Sequence, residues 1–175
     1  CSLENSDEKL FNIKLASEFP QLYDENSYYI LAIDPARRKD GSWYSIHYVY
    51  NGKSTLVQSW YVPKEFKWTN DSQWWKMQCI FFQRLMKPYQ HKKNIITVMD
   101  STWVWDWVVT IFNDNWVKIN YTVRYTSGAT QSNSLMNYTV SKSILINNLL
   151  DFIDEDLISL VDITNKDLLE ELKFI

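Results

Sequence analysis

Tyr28-Tyr-Ile-Leu-Ala-Ile-Asp34 decides the fold. The run is apolar with no alternating polar position, as expected of a strand covered on both faces, and it stops on an acid. Asn94-Ile-Ile-Thr-Val-Met-Asp100 repeats the pattern further along and also ends on an aspartate. Ligands of α/β sheets sit beyond the carboxyl ends of the strands. If these two strands are neighbours and parallel, Asp34 and Asp100 face each other there. Two carboxylates at one lip repel, and a hard divalent cation relieves that repulsion. Each aspartate alone reads equally well as a turn former or helix cap: Asp34-Pro-Ala could open a turn, and Asp100-Ser-Thr could cap a helix at Trp103.

Working outward from the first strand, Pro35 to Gly41 is a charged turn closing on Asp40-Gly41. Ser42–Tyr50 and Ser54–Val62 read as strands two and three, joined by Asn51-Gly52, the strongest hairpin signal in the chain. The three strands should form an antiparallel meander. A helix follows, capped by Thr69, Asn70 or Asp71, with Trp75, Cys79, Phe82 and Met86 at i, i+4, i+7 and i+11. Trp74, Phe81 and Leu85 widen that stripe, and Pro88 stops it. Beyond Asp100, the spacing predicts a helix over 103–112 and a strand over 118–125. A polar loop over 127–136, a helix over 141–153, a strand over 157–161 and a helix from Thr164 complete the order. Residues 1–27 read as a connector or docking arm, and 28–175 as one α/β domain: a mixed sheet with helices on both faces.

The composition agrees with a single domain. The 175 residues are 46% hydrophobic and 22% charged, which excludes a disordered chain. No apolar stretch approaches a membrane span. Two cysteines, Cys1 and Cys79, make neither a disulfide scaffold nor a four-thiolate zinc site. The chain opens at Cys1 with no signal-peptide pattern and ends inside a helical pattern, so both ends read as cut from something longer. His47 and His91 have no metal-ligand spacing, and there is no phosphate-binding Gly-x-x-x-x-Gly-Lys loop.

The net charge of −3 requires any contact with nucleic acid to use local basic patches, or metal ions that offset the carboxylates. Arg37, Arg38 and Lys39 follow Asp34 directly, where a phosphate backbone would pass the lip. Arg84, Lys87, His91, Lys92 and Lys93 form a second group, and Lys142 opens the helix at 141. A basic run is equally at home as a solvated face.

Tyr28-Tyr-Ile-Leu-Ala-Ile-Asp-Pro-Ala-Arg37, followed by Asp40-Gly-Ser-Trp-Tyr-Ser-Ile46, resembles the opening of the nuclease domain in phage large terminase subunits. Ile95–Asp100 is similar to the second acidic strand of that family. Tyr125-Thr-Ser-Gly128 and Val140-Ser-Lys142-Ser-Ile-Leu145 are similar to its later loop and helix start. Leu157–Val161 and Asn165–Phe174 are similar to its closing strand and helix. The resemblance spans roughly residues 25–175 and rests on the order and spacing of the motifs. It implies a ribonuclease H-like fold and a divalent-metal endonuclease cutting concatemeric viral DNA during packaging. Asp34 and Asp100 would be its catalytic and metal-binding acids, holding one or two Mg²⁺ or Mn²⁺ ions. Arg37, Arg38, Lys39 and Lys142 would meet the DNA. The family's third acid is expected beyond Ile175, which makes the domain incomplete at its C-terminus. Implied partners are double-stranded DNA, a terminase ATPase domain, the small terminase subunit and the portal, in the host cytoplasm and away from membranes. The rival readings are another ribonuclease H-like nuclease (a Holliday-junction resolvase or transposase core) and a catalytically incompetent DNA-binding or assembly module.

Overall fold

The structure is a computed structural model that describes residues 26–36, 41–62, 71–89, 95–104, 106–128, 132–134 and 136–160. The arm up to residue 25, the run Arg37–Asp40, the cap residues Thr69 and Asn70, His91–Lys93 and the helix from Thr164 lie outside the described residues.

Strands β1 (Tyr28–Asp34), β2 (Trp43–Tyr50) and β3 (Lys53–Tyr61) form the expected antiparallel meander. Asn51 and Gly52 both take positive φ, 51° and 75°, as a two-residue type I′ hairpin requires. Helix α1 (Asp71–Met86) ends in a 3₁₀ turn over Lys87–Tyr89 and is followed by β4 (Ile95–Asp100). Then come α2 (Asp106–Asp114), β5 (Tyr121–Thr126), β6 (Ser132–Ser134), β7 (Asn137–Ser141), α3 (Lys142–Asp154) and β8 (Ile158–Leu160). The strands make one mixed sheet in the order β6-β7-β5-β4-β1-β2-β3-β8. β4 pairs parallel with β1, β5 with β4, and β7 with β5.

The core lies on one face of this sheet. Tyr29, Leu31 and Ile33 are buried while the intervening residues of β1 are half-buried, so one face of the strand is closed and the other is more open than its unbroken apolar run predicts. The predicted stripe of α1 seals that face: Trp74, Trp75, Cys79, Phe81, Phe82, Leu85 and Met86 are all buried. Phe82 meets Tyr44 of β2 edge-on at 6.1 Å and Phe112 of α2 at 6.1 Å. Tyr29 packs between Tyr48 at 5.3 Å and Tyr89 at 4.9 Å. Offset and edge-to-face rings at these separations add attraction beyond the area they bury. Cys79 is a free buried thiol whose pKa burial pushes up to about 12, so it stays protonated and serves as a small core hydrophobe.

Three boundaries differ from the sequence reading. Helix α2 starts at Asp106 rather than Trp103, because Ser101 N–H still donates to the Val123 carbonyl at 2.8 Å and holds 101–104 as a turn against β5. β5 starts at Tyr121 because Asn120 is occupied with Thr97: its N–H donates to the Thr97 carbonyl and its Oδ1 accepts from the Thr97 N–H, both at 2.9 Å. β6 and β7 occupy what reads as polar loop and connector. β7 carries Asn137-Tyr-Thr-Val-Ser141 with no apolar run, and its pairings, parallel with β5 and antiparallel with β6, make it a strand.

Phe82 has no solvent exposure and joins both helices to the sheet. Phe82→Ala should therefore lower the unfolding free energy by about 3–5 kcal/mol, the usual cost of emptying a large aromatic site. Urea denaturation of the two proteins measures it.

Candidate functional site

Six strands, β1, β3, β4, β5, β7 and β8, run in the same direction and deliver their carboxyl ends to one edge of the sheet. β1 and β4 are neighbours with Ile33 opposite Met99, so Asp34 and Asp100 stand level, each one residue past the last registered pair. Directly paired residues share a face, so both aspartates leave the sheet on the same side. That side is opposite to Ile33, which is buried in the core.

The chain on either side of each acid is fixed. After Asp34, the Ala36 N–H donates to Ser42 Oγ at 3.0 Å and Trp74 Nε1–H donates to the Ala36 carbonyl at 3.1 Å. Ser42 is itself fully buried, and its carbonyl accepts from the Val62 N–H at 2.8 Å. Gly41, at φ 72°, supplies the left-handed turn expected of Asp40-Gly41. After Asp100, a carboxylate oxygen, Oδ1, accepts from the Thr102 N–H at 2.8 Å, an Asx turn in place of the helix cap. Thr102 Oγ1 then accepts from the Tyr125 N–H at 2.9 Å, which ties the turn to β5. A carboxylate oxygen has lone pairs to spare, so this turn leaves Asp100 able to bind a further partner.

The electrostatics record the crowding of two like charges. Asp34 is open to solvent along one side, yet burial of its carboxyl and the neighbouring charge of Asp100 push its pKa above the ordinary 3.8. Tyr125 feels the same pair. Burial first, then Asp100, then Asp34 raise its pKa, which places its hydroxyl in the field of both carboxylates. Its register explains this. Val123 is paired with Asp100, and Tyr125 lies two residues further along the same face of β5. On the other flank, Trp43 is paired with Asp34 and Tyr61 with Trp43, and the two rings lie 3.6 Å apart. Tyr125, Trp43 and Tyr61 were not singled out by the sequence reading. Counting period 2 outward from the acids along strands of known register would have found them, but the register is not visible in the sequence.

The remaining sequence candidates divide. Lys142 is exposed at the start of α3, directly after β7, and so stands at the same edge two strands beyond Asp100. Arg37, Arg38 and Lys39 lie outside the described residues. Asp154, which closes α3, and Asp156, which follows it on the way into β8, are not sequence candidates and stand at the opposite edge of the sheet. Among the described residues, no group of three or more His, Cys, Asp or Glu side chains could hold a metal ion. The acid pair is therefore a two-carboxylate cluster there.

No family model matches the sequence, and no curated protein matches it. The fold does match solved structures. The large terminase nuclease from thermophilic phage G20c superposes with a TM-score of 0.51 at 20% identity, over 86% of this chain and 66% of that one. The human cytomegalovirus terminase nuclease domain, soaked with Mn, gives a TM-score of 0.57 at 9% identity over 98% and 84%. The large terminase of a second thermophilic bacteriophage gives 0.51 at 14% identity, over 87% of this chain but only 34% of its own. The sheet is thus a ribonuclease H-like mixed α/β sheet of the kind seen in terminase nucleases, and the chain spans just under two thirds of the G20c nuclease.

A carboxyl whose pKa is raised in the folded state keeps its proton at pH values where the unfolded chain has lost it. Stability then falls as pH rises from below 3.8 through the raised value. Asp34→Asn removes this loss. Without metal, the variant should melt at or above the wild-type temperature at neutral pH. The advantage should shrink as pH falls below 3.8, where both states of the wild type take up the proton. Asp100→Asn should also fold, since an amide oxygen still accepts from the Thr102 N–H. Thermal melts across pH check both.

Proposed function

We propose that the chain is the nuclease domain of a viral genome-packaging terminase, a divalent-metal-dependent endonuclease that cuts concatemeric double-stranded DNA. One observation carries the reading: parallel pairing brings Asp34 level with Asp100 at the carboxyl edge of a ribonuclease H-like sheet. Neighbouring strands lie about 4.8 Å apart, so carboxylates on the same face of adjacent strands reach a common ligand.

The donor set fits a hard cation. Both donors are carboxylates, and burial, then the neighbouring charge of Asp100, raise the pKa of Asp34. Asp34 and Asp100 would hold one or two Mg²⁺ or Mn²⁺ ions, as Mn was introduced into the cytomegalovirus nuclease domain. When bound, such ions supply Lewis-acid charge at a phosphate and ease deprotonation of water. The protein's own part is positioning. The Ser42 and Trp74 bonds hold the exit from β1, and the Thr102 bond to β5 holds the exit from β4, so the carboxylates are preorganised before substrate arrives. Arg37, Arg38, Lys39 and Lys142 would meet the DNA backbone around the same edge. The overall charge of −3 leaves affinity dependent on such local contacts and on the bound cations.

The other parts of a packaging motor would supply the ATPase, the small subunit and the portal, in the cytoplasm of the host. No helix among the described residues is long and apolar enough to cross a membrane. The absence of a third acid among the described residues favours one second reading, a DNA-binding or assembly module that has lost cleavage.

Calorimetric titration with Mn²⁺ tests the metal site. The wild type should bind, and Asp34→Asn or Asp100→Asn should each abolish binding. Equal affinity in all three proteins removes Asp34 and Asp100 as ligands. Nicking of supercoiled plasmid in Mn²⁺ then separates the nuclease from the binding module. Neutral substitutions at Arg37, Arg38 and Lys39 should weaken binding to all DNA sequences alike and flatten the log–log salt dependence by about one unit per lost phosphate contact. Salt titrations of binding read that slope.

A further inference from the structure

Trp103 is 86% exposed, although it lies three residues after Asp100 in a segment that is otherwise locked. Its neighbours are fixed on both sides. Thr102 receives the Asp100 carboxylate on its N–H and holds the Tyr125 N–H on its hydroxyl, while Val104 is buried and its N–H donates to the Ser101 carbonyl at 3.4 Å. An indole presented to water from a rigid turn loses apolar burial for no gain within the chain itself. Three residues of chain span at most about 11 Å, so the Trp103 Cα stands within about three nucleotides of the Asp100 Cα along a strand that rises about 3.4 Å per nucleotide. The opposite flank of the pair is also aromatic, through Trp43 beside Asp34 and its contact with Tyr61.

We propose that Trp103 is a stacking platform for an unpaired or unstacked base of the DNA strand whose backbone lies at Asp34 and Asp100. The proposal rests on the nuclease reading of that edge and adds how the strand is gripped. Every base has a π-face, so the contact tolerates any sequence. It needs no basic residue, which suits an acidic chain. It also favours DNA whose bases are already free of the stack, because an intact duplex must first unstack one.

A second tryptophan provides the control. Trp116 is 89% exposed but follows α2, which leads away from the carboxyl edge and into the start of β5, so it stands at the opposite edge of the sheet. The experiment uses the full chain, fluorescein-labelled oligonucleotides as single strand and as intact duplex, and Ca²⁺ in place of Mn²⁺, read by anisotropy over a series of salt concentrations. Trp103→Ala should weaken single-strand binding by about 5- to 150-fold, the range of one base–aromatic stack. The loss on intact duplex should be smaller. The log–log salt slope should not change, since stacking releases no counterions. Trp103→Phe should keep most of the affinity, and Trp116→Ala all of it. Wild-type binding that Trp103→Ala leaves intact, equal losses on single strand and duplex, or an equal loss from Trp116→Ala overturns the stacking role while the nuclease reading stands. A wild type that binds neither DNA form overturns both.

Discussion

The parallel pairing of β1 with β4 is the constraint on which the rest depends. It fixes Asp34 level with Asp100 and aims both at the same side of the same edge. Nothing in either strand's own chemistry favours that meeting. Burial, and then the neighbouring charge of Asp100, raise the cost of ionising Asp34 there.

The core bears that cost. The face of the sheet away from the acids is sealed by aromatic packing between β1, β2, α1 and α2, with Tyr29, Tyr44, Phe82 and Phe112 all essentially without solvent contact. Trp74 has a part in both tasks. Its ring is buried in that core, and its indole N–H reaches the Ala36 carbonyl two residues past Asp34. The chain leaving the first acid is thus tied to the helix that closes the core. The chain leaving the second acid is tied to β5 by Ser101 and Thr102. The site is rigid because its exits, more than its acids, are held.

The two edges of the sheet differ in kind. The carboxyl edge gathers the acid pair, Tyr125, Trp43, Trp103 and Lys142, a mixture of charge and aromatic rings. The opposite edge receives Asp154, Asp156 and Trp116. The asymmetry follows from topology alone: every crossover from one parallel strand to the next returns the chain to the far edge before it climbs again.

Much of this was legible in the residues. The apolar run that stops at Asp34, the Asn51-Gly52 hairpin, the Trp75-Cys79-Phe82-Met86 stripe and the second run that stops at Asp100 each announce an element, because local propensity and burial act there in the same direction. The strands β6 and β7 were not legible, since Asn137–Ser141 has no pattern of its own and becomes a strand by pairing with β5 and β6. The late start of α2 was hidden for a similar reason: the hydrogen bonds that hold residues 101–104 in a turn come from β5, a distant segment of the chain. Tyr125 and Trp43 were silent because a side chain's place beside an acid on another strand depends on register, and register is set across strands rather than along them. The sequence by itself determined most of the strands and helices and that two of the strands end in acids, because those properties reside in neighbouring residues. Only the tertiary structure decided that the two acids meet, which aromatic rings flank them and which tryptophans are left facing solvent, because each depends on pairings between segments far apart in the chain.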